Sequence, residues 1–404
     1  MQYRINPKNG DRISLLGMGC MRFPRSGGKV DQTKADELIE AAIRGGINYF
    51  DTAYIYPGSE EALGRALNKL GERDKVLIAT KLPHYTCKKP EDFDRIFETQ
   101  LVRLQSDWID YYHIHMLTNR ESWERIKSLG IVDWIEKKRA EGAIKNLGFS
   151  FHGGRDDFIG LLDAYCWDFC LVQYNYYDEH NQAGITGIRA AHNEGLPVFV
   201  MGPVRGGILS EDLPEEAKEA FRKLDGTESI KGTPGRRSPA NWALRWVFNH
   251  QEVTMALSGL SDLSQVADNT EATNGALPGA LDEIELAAFA EAVSALRKTD
   301  RIPCTKCGYC MPCPMGVDIP ECFSCYNVSY ITGLVSGIAQ YTQVTGQSSP
   351  LQSDASKCSA CGKCEATCPQ SIPIAKSLTK VRRRMKTFLI KPLFIVIRKL
   401  WRIN

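Results

Sequence analysis

Eight cysteines near the C-terminus stand at the short spacings that metal clusters require. They fall into two runs, each ending in a Cys-Pro pair: Cys304, Cys307, Cys310 and Cys313, then Cys358, Cys361, Cys364 and Cys368. Thiolates are soft ligands that suit iron–sulfur clusters, and the second run has the spacing that holds [4Fe–4S] clusters. Zinc needs only four ligands, usually supplied as two pairs, which argues against zinc. The runs therefore predict two [4Fe–4S] clusters.

The first run is one residue shorter than the second before its last cysteine. The pattern resembles bacterial two-cluster ferredoxins, in which the fourth cysteine of each run binds the other run's cluster. The resemblance implies that Cys368 completes the first cluster and Cys313 the second. Cys322 and Cys325 form another Cys-x-x-Cys between the runs. We expect them either to pack in a core or to serve as spare ligands.

Composition bounds the class of protein. The chain has 404 residues, 43% hydrophobic and 24% charged, which suits a soluble globular protein with a barrel-sized core and an appendage. A formal net charge of +2 gives no case for nucleic-acid binding. Residues 1–10 lack the apolar stretch of a signal peptide. Ten of the fourteen cysteines follow residue 303, which favours ligand use in a reducing cytoplasm over a disulfide scaffold.

The C-terminal segment is strongly basic. Residues 375–404 contain ten Lys or Arg and no acidic residue, and apolar residues recur there at three- and four-residue steps. Pro392 interrupts this pattern, and the apolar run is too short to span a bilayer. We expect a basic amphipathic tail. It either contacts an anionic membrane surface at the inner face or forms a terminal helix docked on the barrel or on a partner subunit.

Strand-like and helix-like stretches alternate between residues 11 and 297. Eight strand–helix units of this length predict a (β/α)8 barrel; a doubly wound sheet is the alternative, but no G-x-G-x-x-G opens a helix after the first strand. Tyr3–Ile13 is expected to form a hairpin at the barrel bottom. Glu121–Ala140 is expected to be one helix, and the Gly/Pro-rich stretch Arg205–Ser238 is either a lid or a passive loop. The predicted domains are the barrel (1–298), a bacterial-ferredoxin-like module (299–374) and the tail (375–404).

Four chemically suited residues stand at the ends of consecutive predicted strands. Asp51 and Tyr56 follow the second strand, Lys81 ends the third and His115 ends the fourth. An ammonium held by a carboxylate lowers the pKa of a nearby phenol, and such a phenol can protonate a carbonyl oxygen. Each residue alone has an ordinary structural explanation, but four suitable types on consecutive strands favour a shared active site. His113 and His152 flank these positions and are expected to be packing or solvent-exposed residues.

These motifs resemble the aldo-keto reductases. Asp51-Thr-Ala-x-x-Tyr56, the lysine that ends the third strand and the Ile-His that ends the fourth are signatures of that family. The resemblance implies that Tyr56 is the general acid, that Lys81 and Asp51 tune it, and that His115 orients the carbonyl. It also implies that a nicotinamide cofactor contacts Gly19, Ser150, Gln173, Met201, Ser258, Gln265 and Asn269.

The sequence departs from the family pattern at cofactor positions. Phe151 replaces the usual asparagine beside Ser150, and Met201 replaces the aromatic residue that stacks on nicotinamide. Residues 258–265 contain no Lys or Arg, although a 2′-phosphate favours a cationic partner. NADH and NADPH therefore both remain open, with Arg205 or Arg236 as candidate cations for the phosphate.

Together these features predict an oxidoreductase that reduces a small carbonyl-type substrate with NAD(P)H. A [4Fe–4S] cluster moves one electron, whereas hydride transfer moves two, so the clusters are expected to serve a redox partner protein, structure or sensing. A flavin could convert between one-electron and two-electron transfer, although no flavin motif is visible. The alternative is a non-catalytic subunit that senses nucleotides or docks a redox complex.

Overall fold

Eight parallel strands close into a barrel in the computed structural model of the chain. The structure describes residues 1–210, 213–224, 237–299, 301–331, 333–345 and 353–385. The strands are β1 Tyr3–Ile5, β2 Arg12–Ser14, β3 Leu16–Gly19, β4 Arg25–Ser26, β5 Lys29–Val30, β6 Tyr49–Asp51, β7 Leu77–Leu82, β8 Ile109–Leu117, β9 Ile144–Phe151, β10 Phe169–Gln173, β11 Val198–Met201 and β12 Val253–Gly259. The helices are α1 Gln32–Arg44, α2 Ser59–Leu70, α3 Glu91–Leu104, α4 Arg120–Lys127, α5 Ile131–Ala140, α6 Arg155–Leu162, α7 Gly184–Asn193, α8 Glu215–Arg222, α9 Pro239–Phe248, α10 Leu263–Glu271, α11 Glu283–Thr299, α12 Ile319–Ile331, α13 Leu334–Val344 and α14 Ile374–Arg384.

The barrel follows chain order, which confirms the predicted (β/α)8 fold. Strands β3, β6, β7, β8, β9, β10, β11 and β12 are hydrogen-bonded in sequence, and β12 pairs back to β3. Side chains fill the interior, as is usual for an eight-stranded barrel. They include the buried rings of Tyr49, Tyr111, Phe169 and Phe199. Because these rings occupy the interior, the reactive side chains further along the same strands are held at the carboxyl ends.

Two local predictions have different outcomes. Strands β1 and β2 pair antiparallel, and the Asn6 side chain between them donates to the Tyr111 hydroxyl at 3.1 Å, which confirms the hairpin. The expectation of one helix over Glu121–Ala140 is wrong. Gly130 has a φ of 85°, a conformation that glycine adopts readily, and it separates α4 from α5.

The chain divides into two compact units. One comprises Met1–Val204 and Phe221–Phe289, and the other Arg205–Ala220 and Ala290–Asn404. The predicted domain boundary at residue 298 stays a prediction, as does a lid role for residues 205–238. Within that stretch, Arg205 belongs to the second unit and is buried, whereas Arg236 lies outside the described residues.

The second unit has its own small apolar core, formed by residues from α12, α13 and α14 and the loops between them. Cys322 and Cys325 are both fully buried in this core, as expected of packing residues. Burial raises the pKa of the Cys322 thiol well above its usual range. A thiol held neutral in this way packs as a small hydrophobic group, so the structural interpretation of this pair is favoured.

The first part of the predicted tail is integrated into the second unit. Helix α14 buries Leu378 and Val381, with Met385 just after it, in the same core. The apolar side of residues 375–385 therefore packs inside the protein, against the core of the second unit, which agrees with a docked terminal helix and not with a membrane-facing one for this part. Residues 386–404 lie outside the described residues. None of the described helices has both the length and the apolar character needed to cross a bilayer.

Candidate active site and cysteine module

The ends of β6, β7 and β8 bring the four predicted catalytic residues together. Lys81 lies beside His113 in the register of β7 and β8, and β6 pairs with β7 on its other side. Side chains alternate along a strand, so Lys81 and Asp51 both point inward from adjacent strands. His115, two residues beyond His113, points inward at the next level.

Lys81 is the centre of the site. Its Nζ lies 2.5 Å from Asp51 Oδ1 and donates a second hydrogen bond to the Thr52 carbonyl oxygen at 2.6 Å. Both charged side chains are almost completely buried, with Lys81 2% and Asp51 5% exposed. Burial raises the pKa of the Asp51 carboxyl, and the Lys81 ammonium opposes that rise. Each buried charge thus depends on the other, because an isolated buried charge would strongly destabilise the folded protein.

Tyr56 lies over this ion pair, and its ring is partly exposed at the rim. Lys81 Nζ stands 5.4 Å from the centre of the Tyr56 ring. The ring of His115 lies 6.2 Å from that of Tyr56, centroid to centroid, at an interplanar angle of 85°. A carboxylate, an ammonium, a phenol and an imidazole therefore surround one point at the mouth of the barrel.

His115 is held neutral. It is fully buried, and its pKa lies well below the usual value because of burial first, then the positive charge of Lys81 and the neighbouring imidazoles of His152 and His84. A neutral imidazole can donate one hydrogen bond and is a poor acid at neutral pH. His115 is therefore suited to donating a hydrogen bond rather than a proton.

A second layer of polar residues fixes the Lys81 strand. Glu60, buried on α2, accepts hydrogen bonds from the hydroxyl of Thr80 at 2.6 Å and from the Gln100 amide at 2.9 Å. The same Gln100 amide donates to the Lys81 carbonyl oxygen at 3.1 Å. Sequence reasoning did not find these residues, because Glu60 and Gln100 look like ordinary helix residues. Their only signal is a polar side chain on the buried face of an amphipathic helix.

Ser150 and Gln173 lie at the ends of β9 and β10, where the nicotinamide amide was expected. The Ser150 hydroxyl oxygen accepts a hydrogen bond from the Met116 N–H at 2.8 Å, which leaves its own proton available to donate. Gln173 is held from both sides: its Nε2 lies 3.3 Å from Asp178 Oδ2, and its Oε1 accepts from Gln182 at 3.2 Å. Both side chains are therefore fixed in place and can present an amide-binding edge.

The other expected cofactor positions line the ends of β3, β11 and β12. A Cβ placed on Gly19 would stand 3.4 Å from the Ser258 carbonyl oxygen, so the two strands approach closely there. The Asn269 amide donates to the Ser258 hydroxyl at 2.9 Å, which ties α10 to the end of β12. Gln265, nearer the surface, accepts a hydrogen bond from the Ser261 N–H at 2.9 Å. Met201 ends β11 partly buried against the barrel interior.

Arg22 is a cation at this rim that sequence reasoning missed. Its Cδ lies 3.4 Å from the position of a Cβ on Gly259, and the side chain is exposed. The sequence does not single it out, because Arg22 follows the first barrel strand, whereas the family's phosphate-binding residues are expected in the segment 258–265. Strands β3 and β12 are neighbours in the closed barrel, so a residue after one lies beside the end of the other.

The two cysteine runs fold into matching loops. Lys306 and Ala360, each two residues after the first cysteine of its run, have φ values of 52° and 56°. The residue after the second cysteine is a glycine with a φ of 79° in the first run and 76° in the second. Such left-handed conformations are uncommon outside glycine and often mark functional loops. Their repetition at equivalent positions indicates that both loops are shaped around the same kind of group.

The structure groups the cysteines across the runs. Cys304, Cys307, Cys310 and Cys368 line one cavity, with Phe323 and Ile374 among the apolar residues around it. Burial, and to a smaller extent the neighbouring thiols of Cys307 and Cys368, raises the pKa of the Cys304 thiol to about 12. Around Cys364, the interacting thiols are those of Cys358 and Cys313. Cys361 is exposed. Cys313 and Cys368 thus each lie with the other run's cysteines.

The donor set fits an iron–sulfur cluster. Four thiols around one cavity match the ligands of a [4Fe–4S] cluster. In the part of the chain that the structure describes, no three His, Cys, Asp or Glu side chains are close enough to share one metal ion.

Comparison with known proteins agrees with both regions. The profile of the Aldo/keto reductase family matches residues 15–284, and that of the 4Fe-4S dicluster domain matches residues 303–373. The first match spans most of the chain, so the protein belongs to the aldo/keto reductase family. It is an oxidoreductase that carries a 4Fe-4S domain at its C-terminus.

Known relatives and solved structures resemble this chain over about 67–72% of its length. L-galactose dehydrogenase of Arabidopsis thaliana is 26% identical over 286 residues, which is 67% of this chain and 88% of that protein. An aldo-keto reductase from Bacillus halodurans, solved in a holo form, is 25% identical with a TM-score of 0.58 over 72% of this chain and 96% of that one. A Klebsiella pneumoniae aldo/keto reductase, solved with NADP and acetate, has 22% identity and a TM-score of 0.57 over 72% and 94%.

Proposed function

We propose that the protein reduces a small carbonyl-type substrate with a nicotinamide cofactor and that Tyr56 is the general acid. The observation that carries this proposal is the position of Lys81. Its buried ammonium is bound to Asp51 at 2.5 Å and lies 5.4 Å from the Tyr56 ring. An ammonium at that place stabilises the phenolate that forms when Tyr56 loses its proton.

The four residues divide the work. A bound reduced nicotinamide supplies a hydride, and hence both electrons, to the carbonyl carbon. Tyr56 donates its phenolic proton to the carbonyl oxygen, so the product is an alcohol and the phenol becomes a phenolate. Lys81 stabilises that phenolate, Asp51 holds Lys81, and neutral His115 donates a hydrogen bond that orients the carbonyl oxygen.

The dinucleotide would lie along the ends of β9, β10, β12 and β3. Ser150 and Gln173 suit the carboxamide of the nicotinamide, and the close approach at Gly19 lets backbone reach the cofactor. Ser258, Gln265 and Asn269 would suit the adenosine end, and Met201 would take the place of the aromatic residue that contacts the nicotinamide. Residues 258–265 contain no Lys or Arg, so Arg22 is the candidate cation for a 2′-phosphate.

The C-terminal module is proposed to hold two [4Fe–4S] clusters, one in each cross-run set of cysteines. A cluster carries one electron at a time, so the module suits exchange with a separate redox protein better than direct exchange with the hydride. Cys361 is exposed, so the second set, Cys358, Cys361, Cys364 and Cys313, is the more accessible of the two. A bound flavin would provide a further route between two- and one-electron steps, and extraction of the purified protein tests for it.

The direct experiment combines turnover with spectroscopy. Anaerobically reconstituted full-length protein is assayed for NADH and NADPH oxidation against a panel of aldehydes and ketones, beside Tyr56→Phe. We expect carbonyl-dependent oxidation that Tyr56→Phe removes. Unchanged turnover in Tyr56→Phe would contradict the acid role. Iron, sulfide and EPR measurements on the same sample should give about eight irons per chain.

A non-catalytic role as a nucleotide sensor or electron-transfer subunit is the alternative, favoured by the methionine at the stacking position. It predicts cofactor binding without turnover, equal in wild type and Tyr56→Phe. A cytoplasmic location with membrane contact through the tail is a separate proposal. Flotation with anionic liposomes, comparing the full chain with a form ending at residue 385, tests it, and equal flotation of both would reject it.

A further inference from the structure

His113 lies level with Lys81 and one level below His115, and it has no part in the proposed mechanism. It is fully buried on β8, two residues before His115. Within the described structure, neither of its ring nitrogens has a hydrogen-bond partner, and neither does Asp51 Oδ2. Buried polar atoms are nearly always paired, so three unpaired atoms in one place need an explanation.

Two of these atoms face each other. His113 Nε2 lies 3.6 Å from Asp51 Oδ2, the carboxylate oxygen that Lys81 does not bind. This separation is about 0.6 Å longer than an ordinary N–H···O hydrogen bond, and catalytic hydrogen bonds are often long before substrate binds. A small shift of the ring would therefore pair both atoms.

The surroundings of His113 fix its orientation and keep it neutral. The Phe169 ring packs edge-on against it, with centroids 4.6 Å apart at 89°. Gly148, its register partner on β9, makes room for that ring, because a Cβ there would stand 2.7 Å from Phe169 ring carbons. The charged or titratable groups that face the imidazole are Asp51, Lys81 and His115. Burial, then Lys81 and His115, keeps its pKa well below the usual value.

We propose that neutral His113 donates its Nε2–H to Asp51 Oδ2 and thereby holds the carboxylate ionised and aimed at Lys81. His113 is then a positioning residue that acts on Tyr56 through Asp51 and Lys81. No proton is transferred, because the imidazole stays neutral. This inference rests on the proposed function, in which the Asp51–Lys81 pair serves Tyr56.

The test compares His113→Leu, which removes the donor, with His113→Gln, whose amide nitrogen can take the place of Nε2. Losing the donor raises the pKa of the Asp51 carboxyl, so Asp51 protonates at higher pH. The acid-side loss of kcat should begin about one pH unit higher in His113→Leu than in wild type, and His113→Gln should restore most of the difference. Equal acid limbs in all three proteins would overturn the proposal.

A readout without turnover separates this inference from the proposed function. Infrared difference spectra, with Asp51→Asn as the subtracted reference, follow the protonated carboxyl of Asp51 as pH is lowered. An upward shift in the pKa of the Asp51 carboxyl in His113→Leu, reversed in His113→Gln, supports the hydrogen bond even if no substrate is found. An unshifted titration refutes it even if Tyr56→Phe abolishes turnover. If His113→Leu does not fold, the NMR signal of the His113 ring nitrogens can be used instead, assigned by its absence from the spectrum of His113→Gln. That signal should shift in Asp51→Asn, and an unshifted signal refutes the proposal.

Discussion

The barrel rim and the cysteine module hold their reactive side chains by different means. At the rim, Lys81 and Asp51 stand on adjacent strands, and their buried hydrogen bonds leave each with one orientation. In the module, the cysteines stand on loops whose shape comes from left-handed residues such as Lys306 and Ala360. The rim is therefore fixed by buried hydrogen bonds between strands, whereas the module carries its thiols on loops around a small apolar core.

The difference matters for chemistry. Hydride transfer requires donor, acceptor and acid to be placed closely, which rigid strands provide. Iron requires the thiolate form of cysteine, and the loops that carry these cysteines take their shape from left-handed residues rather than from a strand or helix. Cluster binding and folding of the module should therefore be coupled, as for other metal-dependent small domains.

Replacing Lys81 should have the largest effect on the barrel. In Lys81→Met, Asp51 becomes a buried carboxylate without a cation, which typically destabilises a protein by about 3–5 kcal/mol. The phenol also loses its ammonium, so we expect kcat/KM to fall at least about 100-fold. Thermal unfolding and steady-state kinetics measure the two effects. The module's iron content should not change, and a parallel loss of iron would show that the two regions are not independent.

Replacing single cysteines should separate the two sets in the module. Cys310→Ser should lose the first cluster and Cys361→Ser the second, so iron should fall in each from about eight to about four per chain. Cys310 packs against the core of the second unit, whereas Cys361 is exposed, so Cys310→Ser should lower the unfolding temperature of the module more. Loss of all iron in both variants would contradict two separate sites.

Much of this arrangement could be predicted from the sequence, for physical reasons. Parallel strands place their carboxyl ends on one rim, so Asp51, Lys81 and His115 had to meet there once the barrel was recognised. The break at Gly130 was not foreseen, because the apolar period continues across it. The packing of Leu378 and Val381 was predicted only as one of two alternatives, a docked terminal helix or a membrane-facing one. An apolar helical stripe shows that a face is buried, but it does not show whether protein or lipid covers it.

The packing of α14 gives a test confined to the module. Leu378 is 1% exposed in the core of the second unit, so Leu378→Ala should destabilise the module by about 2–5 kcal/mol. Lys380→Ala, on the exposed side of the same helix, is the matched control and should change stability by less than about 0.5 kcal/mol. Thermal loss of cluster absorbance reports on the module. Equal effects from the two variants would mean that α14 does not pack as described.

Buried imidazoles should make the barrel sensitive to acid. Burial, as the largest cause, lowers the pKa values of His84, His152 and His250 to about 4. The unfolded chain binds these protons near pH 6.5, so barrel stability should fall as the pH drops from about 6.5 towards 4. Tryptophan fluorescence follows the barrel, because six of the seven tryptophans precede residue 250. His250→Gln should flatten this pH dependence, and an unchanged slope would contradict the prediction.

The smallest expected effect concerns Arg22 and the choice of nucleotide. If Arg22 binds the 2′-phosphate of NADPH, Arg22→Ala removes one exposed charge contact, worth about 1 kcal/mol, and KM for NADPH should rise roughly three- to tenfold. KM for NADH should stay nearly constant, because NADH lacks that phosphate. Arg25→Ala, three residues further along, controls for the loss of one positive charge nearby. Equal increases for NADH and NADPH would instead place Arg22 at the pyrophosphate, which both nucleotides share.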